Sequence, residues 1–304
     1  MQNNNQILFA AEEIRSNFRK TVFLLFMMIV CIFALSWLLG ELLNDITLGL
    51  KIGFLVCLIF IPLEMMSARF SIISLTGCVP LDLSNPAEKR ILNIVQGLSI
   101  SAGLKKVPDV YLLETSIPNA FAAGWNEESS FIGITTGLAD MMDDQELSGV
   151  VAHEISHIIH RDIMICQMSI ALNTAILLLS IMIRWVSLFC AVHTRKNSLK
   201  GICLLLFFLI YPISAIVGFL LCMAISRKRE FAADAMAVRL CSYNEGLARA
   251  LEKIENQYPS FSNDDIDSLG GKGVECLYFH FPVDSIFSTH PNTNERIQRL
   301  RSMY

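Results

Sequence analysis

The chain has 304 residues, of which 53% are hydrophobic and only 17% charged, with a formal net charge of −4. Soluble domains carry about 25% charged residues, so the composition excludes an ordinary soluble domain. The near-balanced charge, with no basic stretch interleaved with aromatics, offers no nucleic-acid surface.

The first few residues are expected to fray, and Arg15, Arg19 and Lys20 then flank an apolar run over 21–40. A second run covers 46–66, with Lys51 near one end where it can snorkel to the headgroups. Each is long enough to cross a hydrocarbon core of about 30 Å. The first run is too long for a signal-peptide core and no small-x-small cleavage site follows it, so it reads as an uncleaved anchor. Basic residues precede the first run, are missing from 40–45, and return as Arg69, Lys89, Arg90, Lys105 and Lys106. The positive-inside bias therefore puts the N-terminus and residues 67–162 in the cytoplasm.

Residues 84–102 read as a capped helix with Pro86 in its first turn and Gly103 as C-cap. A strand is expected over 109–113, and a hairpin joins 119–124 to 130–136 around Trp125-Asn126-Glu127-Glu128. The small residues around Asn119, Ala120, Phe121 and Ala122 suit an edge strand that holds an extended peptide through main-chain hydrogen bonds. The same residues also suit a hairpin that only packs in the core.

His153-Glu154-Ile155-Ser156-His157 follows, in a helix with an Asp143/Glu146 capping box and an apolar face of Leu147, Val150, Val151, Ile155 and Ile158. Histidines four apart on a helix face the same way and can occupy two corners of a zinc tetrahedron. Glu154 stands beside them as a general base that takes a proton from water and returns it to a leaving amine. The competing reading is a surface helix with two solvated histidines. A metzincin would continue with Gly at 160 and His at 163, but His160 and Ile163 occupy those positions, so the third ligand must come from elsewhere.

Two further apolar runs cover 163–183 and 201–225, with Arg184, Arg195, Lys196 and Lys200 in the connection. That connection opposes the positive-inside bias if both runs cross. Beyond them Glu230 lies among Phe231, Ala232, Ala233, Ala235 and Ala237, where a buried acid needs a partner. It is the best candidate for third ligand, with Asp234 one turn on to hold a ligand histidine from outside. Pairing of both with Arg227, Lys228 or Arg229 is the alternative. Because the histidines precede this pair of runs and Glu230 follows it, the pair must form a hairpin returning to its starting side.

Helices are expected near 227–240, 243–257 and 293–303, with a loop over 259–273 that is either a lid or a solvated insertion. His290, in a Thr-His-Pro turn, suits either a donor to a developing oxyanion or a fourth metal ligand. Arg296 is placed to brace that loop or a carboxylate. The nine cysteines include no CxxC pair and give no disulfide framework.

The ordered set of motifs resembles the HtpX-like membrane zinc endopeptidases, gluzincins related to the CAAX prenyl proteases. It comprises the first apolar pair, Asn119-Ala120-Phe121-Ala122-Ala123-Gly124, the HExxH helix, the second apolar pair, Glu230-Phe231-Ala232-Ala233-Asp234, and Ser288-Thr289-His290-Pro291 with Arg296-Ile297. The expected fold class is α+β, a polytopic α-helical membrane protein of about four hydrophobic segments with a zincin-like catalytic domain. Its parts are 1–66 (first membrane hairpin), 67–162 (protease core), 163–225 (second hairpin) and 226–304 (completion of the core). The resemblance implies one zinc ion per chain bound by His153, His157 and Glu230, with Glu154 as catalytic base. It also implies a bacterial inner membrane location, a cytoplasmic catalytic domain, and damaged or misfolded membrane proteins as substrates. The expected partners are those substrates and the lipid bilayer, with homo-oligomerisation left open. Specific processing of one peptide or lipidated protein, or an inactive zinc-binding scaffold, are the alternatives.

Overall fold

The computed structural model describes residues 2–257 and 292–303. The 259–273 segment and His290 lie outside the described residues. The chain begins with α1 (Gln2–Leu43), α2 (Ile46–Leu55), a π-helical stretch (Val56–Phe60) and α3 (Ile61–Thr76). Then come β1 (Val79–Pro80), α4 (Pro86–Ser101), β2 (Asp109–Leu113), β3 (Ala120–Ala123), β4 (Phe131–Thr135), α5 (Thr136–Met141) and α6 (Asp144–Ile159). Two long helices, α7 (Asp162–His193) and α8 (Asn197–Cys241), precede α9 (Glu245–Gln257) and α10 (Thr293–Arg301). The chain forms two compact units, Met1–Met66 with Met168–Ile225, and Ser67–Gln167 with Ser226–Tyr304.

Among the described residues, four helical segments have the length and composition to cross a membrane: Thr21–Leu43, Ile46–Thr76, Asp162–His193 and Ser198–Gly218. α1 and α2 approach closely because small residues line the contact. A Cβ on Gly49 would collide with the backbone of Ser36 and Gly40, and one on Gly53 with the Ser36 side chain. Three expectations are corrected here. The N-terminus is helical from Gln2, continuous with the apolar run that propagates it. The third apolar run continues as helix to His193, so Arg184 lies within α7 and not in a loop. Its guanidinium sits 4.7 Å from the centroid of Phe207, an aromatic partner for a charge in an apolar setting. Finally, the fourth run and the helix carrying Glu230 are one element, because between 201 and 241 Pro212 is the only strong breaker and α8 runs through it.

The second unit is built on a four-stranded sheet of order β1-β2-β4-β3. β2 and β4 are parallel, whereas β1 and β3 run antiparallel to their neighbours. The expected hairpin is present, with Ala120 opposite Ile134 and Phe121 opposite Gly133. The Phe121 ring occupies the space a Cβ on Gly133 would need, and it meets Phe131 edge-on at 5.9 Å. α4 starts one residue later than a Ser84 cap would set it. Asn85 is the N-cap and accepts from Ala87 N at 3.0 Å, while Gly103 takes the expected left-handed conformation at φ 72°.

α6 packs between the sheet and α9. Gly149 permits the second contact, since a Cβ there would lie 2.7 Å from Leu247 N. Lys253 of α9 closes it with an ion pair of 2.6 Å to the buried Glu146. A Gly149→Ala substitution is therefore expected to destabilise the protein by about 1–3 kcal/mol through overpacking. Gly97→Ala on α4, where nothing lies within 4 Å, should instead stabilise it by up to about 1 kcal/mol. Denaturation of both variants in the same detergent checks the pair of signs.

Candidate metal centre

α6 places the two histidines by a mechanism readable residue by residue. Asp143 accepts from the backbone N–H groups of Gln145 and Glu146, both at 2.8 Å, and its own N–H donates to Glu146 at 2.9 Å. That is the capping box expected from the sequence, and the five apolar residues named for the helix face are all buried. His153 is completely buried and the His157 side chain is 16% exposed, so neither is the fully solvated histidine of the competing reading.

The Nε2 atoms of His153 and His157 lie 3.1 Å apart. Glu230, one of the buried residues of α8, sets Oε2 3.6 Å from His153 Nε2 and Oε1 3.6 Å from His157 Nε2. Ligand bonds of about 2.0–2.1 Å in a tetrahedral site put neighbouring ligand atoms about 3.3–3.4 Å apart, so the three groups fit around one metal ion. Glu154 is also buried. It follows His153 directly in α6, and its charge helps raise the pKa values of His157 and Arg296.

The outer faces of the rings are held as well. His153 Nδ1 lies 2.9 Å from Asp234, as expected for a residue one turn beyond Glu230. The fully buried Arg296 donates to Asp234 from Nη2 at 2.7 Å and from Nε at 2.9 Å, and its Nη1 stands 3.6 Å from Glu230. Arg296 thus braces the carboxylates. His157 Nδ1 hydrogen-bonds Asp162 at 3.0 Å, and Asp162 is 3.4 Å from Arg229. Neither Asp162 nor the role of Arg229 was anticipated. The signal available in the sequence was an acidic residue just beyond the end of the ligand helix.

A carboxylate at Nδ1 favours, in the neutral imidazole, the tautomer that leaves Nε2 free to bind a metal. Among the described residues, four carboxylates (Glu154, Glu230, Asp234, Asp162) face two guanidiniums (Arg229, Arg296) around the rings. The excess of two negative charges is that of one divalent cation. Burial pulls the His157 pKa down, but Asp162, Glu230 and Glu154 outweigh it and push it up to about 9. His153 is raised in the same way: burial lowers it, and Asp234 and Glu230 more than compensate. Asp234 is held below the usual carboxylate range, since Arg296 and His153 overcome the opposing effect of burial. His160 ends α6 as its C-cap, and burial lowers its pKa.

The residues named for an edge strand are at an edge, with β4 as the strand partner of β3 among the described residues. Their side chains are all buried, and Asn119 is tied to Thr135 by hydrogen bonds of 2.8 and 3.0 Å. His290 lies outside the described residues.

A membrane-anchored chain with a buried His/His/Glu cluster and an adjacent glutamate has the make-up of a membrane metallopeptidase. The chain belongs to peptidase family M48, whose model matches residues 86–304. It is 34% identical to the protease HtpX homolog of Streptococcus gordonii, over 96% of this chain and 99% of that one. It is also 34% identical to protease HtpX of Legionella pneumophila subsp. pneumophila, over 92% and 98% of the two chains. The fold is shared with the crystal structure of S. mikatae Ste24p, at a TM-score of 0.52 and 20% identity, covering 95% of this chain and 67% of that one. The chain is a metalloprotease, a peptide-bond hydrolase, and with its four apolar helices a bacterial membrane protein that acts on protein substrates.

Because His157 is held at about 9, the metal-free site carries a proton at neutral pH that an entering cation must displace. Apparent metal affinity should therefore rise as the pH is raised towards about 9, with protons released on binding. Titration calorimetry in two buffers of different ionisation enthalpy counts them, and finding none released near pH 7 contradicts the assignment.

Proposed function

We propose that the chain is a zinc endopeptidase of the bacterial inner membrane that cleaves damaged or misfolded membrane proteins on the cytoplasmic side. The observation that carries this reading is the convergence of His153 Nε2, His157 Nε2 and Glu230 beside Glu154. Two imidazoles and one carboxylate are the ligand set of catalytic zinc sites that keep a fourth position open.

When bound, zinc polarises the scissile carbonyl and makes water acidic near neutral pH. Glu154 takes the proton from the attacking water and delivers it to the departing amine. Arg296 compensates the charge of Glu154 and Glu230 and keeps Asp234 ionised behind His153. The backbone of Ala120–Ala123, at the sheet edge and beside α6, receives the substrate as an added strand, which suits a protease with little sequence preference. His290 would serve either as an oxyanion donor or as a fourth ligand that holds the enzyme shut.

Residues 67–162 and 226–304 act as one protease core, 163–225 as a membrane hairpin inserted in it, and 1–66 as the anchor. The cytoplasmic orientation is supported by the basic residues flanking the first two spans.

The test uses full-length wild type and Glu154→Gln, purified in detergent with chelator and then given zinc. Self-cleavage and cleavage of an unfolded test protein are followed. Both should bind zinc, and Glu154→Gln should cut about 10²–10⁴-fold more slowly. Equal rates would remove Glu154 as the base. Zinc binding by both without cutting by either would favour the specific-processing or scaffold alternative.

A further inference from the structure

We propose that Asp162 is a positioning residue of the metal centre. It fixes the ring of His157 and, through Arg229, ties that ring to the helix that carries Glu230. This inference rests on the metal-centre reading above.

The local backbone makes the contact. α6 closes with His160 N donating to Ser156 O at 2.9 Å and Arg161 N donating to Ile158 O at 3.1 Å. Arg161 then adopts φ 58°, a left-handed conformation that commonly follows a helix end and is uncommon for a residue with a side chain. This turn starts α7 in a new direction and brings its first residue, Asp162, back to the last turn of α6. One carboxylate oxygen of Asp162 hydrogen-bonds His157 Nδ1 at 3.0 Å, and the other lies 3.4 Å from Arg229 Nη1. The same guanidinium nitrogen donates to the Asp162 main-chain carbonyl at 3.3 Å.

Arg229 immediately precedes Glu230, so a single stretch of α8 supplies the third ligand, the carboxylate behind His153 and the cation behind Asp162. The chain leaves this unit after Gln167 and returns at Ser226. The Asp162–Arg229 pair therefore joins the outgoing and returning strands of chain next to the metal ligands. Without Asp162, the imidazole of His157 loses the acceptor that selects its tautomer and the restraint on its rotation.

The experiment follows zinc loss from the full-length, detergent-solubilised protein into excess chromogenic chelator. Thermal unfolding of each metal-free protein serves as the fold control. Asp162→Ala is expected to accelerate zinc loss by about 10–100-fold. Asp162→Asn, whose amide oxygen still accepts from Nδ1–H, should restore most of the slow rate. Arg229→Ala should accelerate loss several-fold in the native background and clearly less in the Asp162→Asn background, where the charge is gone and only the bond to the main-chain carbonyl remains. That last comparison carries the test if Asp162→Ala does not fold. Zinc loss from a folded Asp162→Ala protein at the wild-type rate overturns the proposal. So does an Arg229→Ala effect of equal size in both backgrounds. Wild type that takes up no zinc overturns the metal centre itself, whereas zinc uptake that Glu230→Ala abolishes supports the centre independently of Asp162.

Discussion

Two imidazole lone pairs and a carboxylate held within 3.1–3.6 Å of one another in a buried site are the constraint on which the catalytic unit depends. Without a cation at their centre these groups repel, and water cannot enter freely to screen them. The surroundings answer with charge. Arg296 and Arg229 neutralise part of the carboxylate excess, and what remains matches one divalent ion or the protons that replace it. The raised pKa values of both histidines and the ligand geometry are thus two consequences of one arrangement.

The rest of the unit holds that arrangement in place. The capping box sets where α6 begins, and its apolar face and Gly149 set its depth against the sheet and α9. Glu230 comes from the other side of the membrane hairpin in sequence, and α8 presents it without a break after the last apolar run. The ligand carboxylate is thus carried by a helix and not by a loop. Arg296 of α10 then locks Asp234 from the C-terminal end of the chain.

How much could be read beforehand follows the range of the interactions. His153, Glu154, His157, the capping box, the four apolar segments and the β3–β4 hairpin are written in local spacing, and each was legible. Glu230 and Asp234 were legible because acidic residues on an apolar helix need partners. Asp162 was missed because its contact depends on a left-handed residue at Arg161, which no glycine or asparagine announces. The continuity of α8 was missed because the apolar run ends at 225 and the change to a charged, amphipathic pattern gave a second helix near 227–240, although arginine and lysine favour helix. The strand order, with β2 parallel to β4, depends on long-range pairing that local pattern does not encode.

Together these features describe a membrane metalloprotease whose His/His/Glu cluster is drawn from two helices separated in sequence by the second apolar pair. The central claim is the identity of the ligands, and zinc K-edge X-ray absorption on the full-length, zinc-loaded protein tests it most directly. The account predicts one zinc per chain with two imidazole nitrogens and a carboxylate oxygen at about 2.0–2.2 Å. It further predicts loss of the oxygen contribution in Glu230→Ala. A sulfur ligand from any of the nine cysteines, or a spectrum unchanged by that substitution, would contradict it.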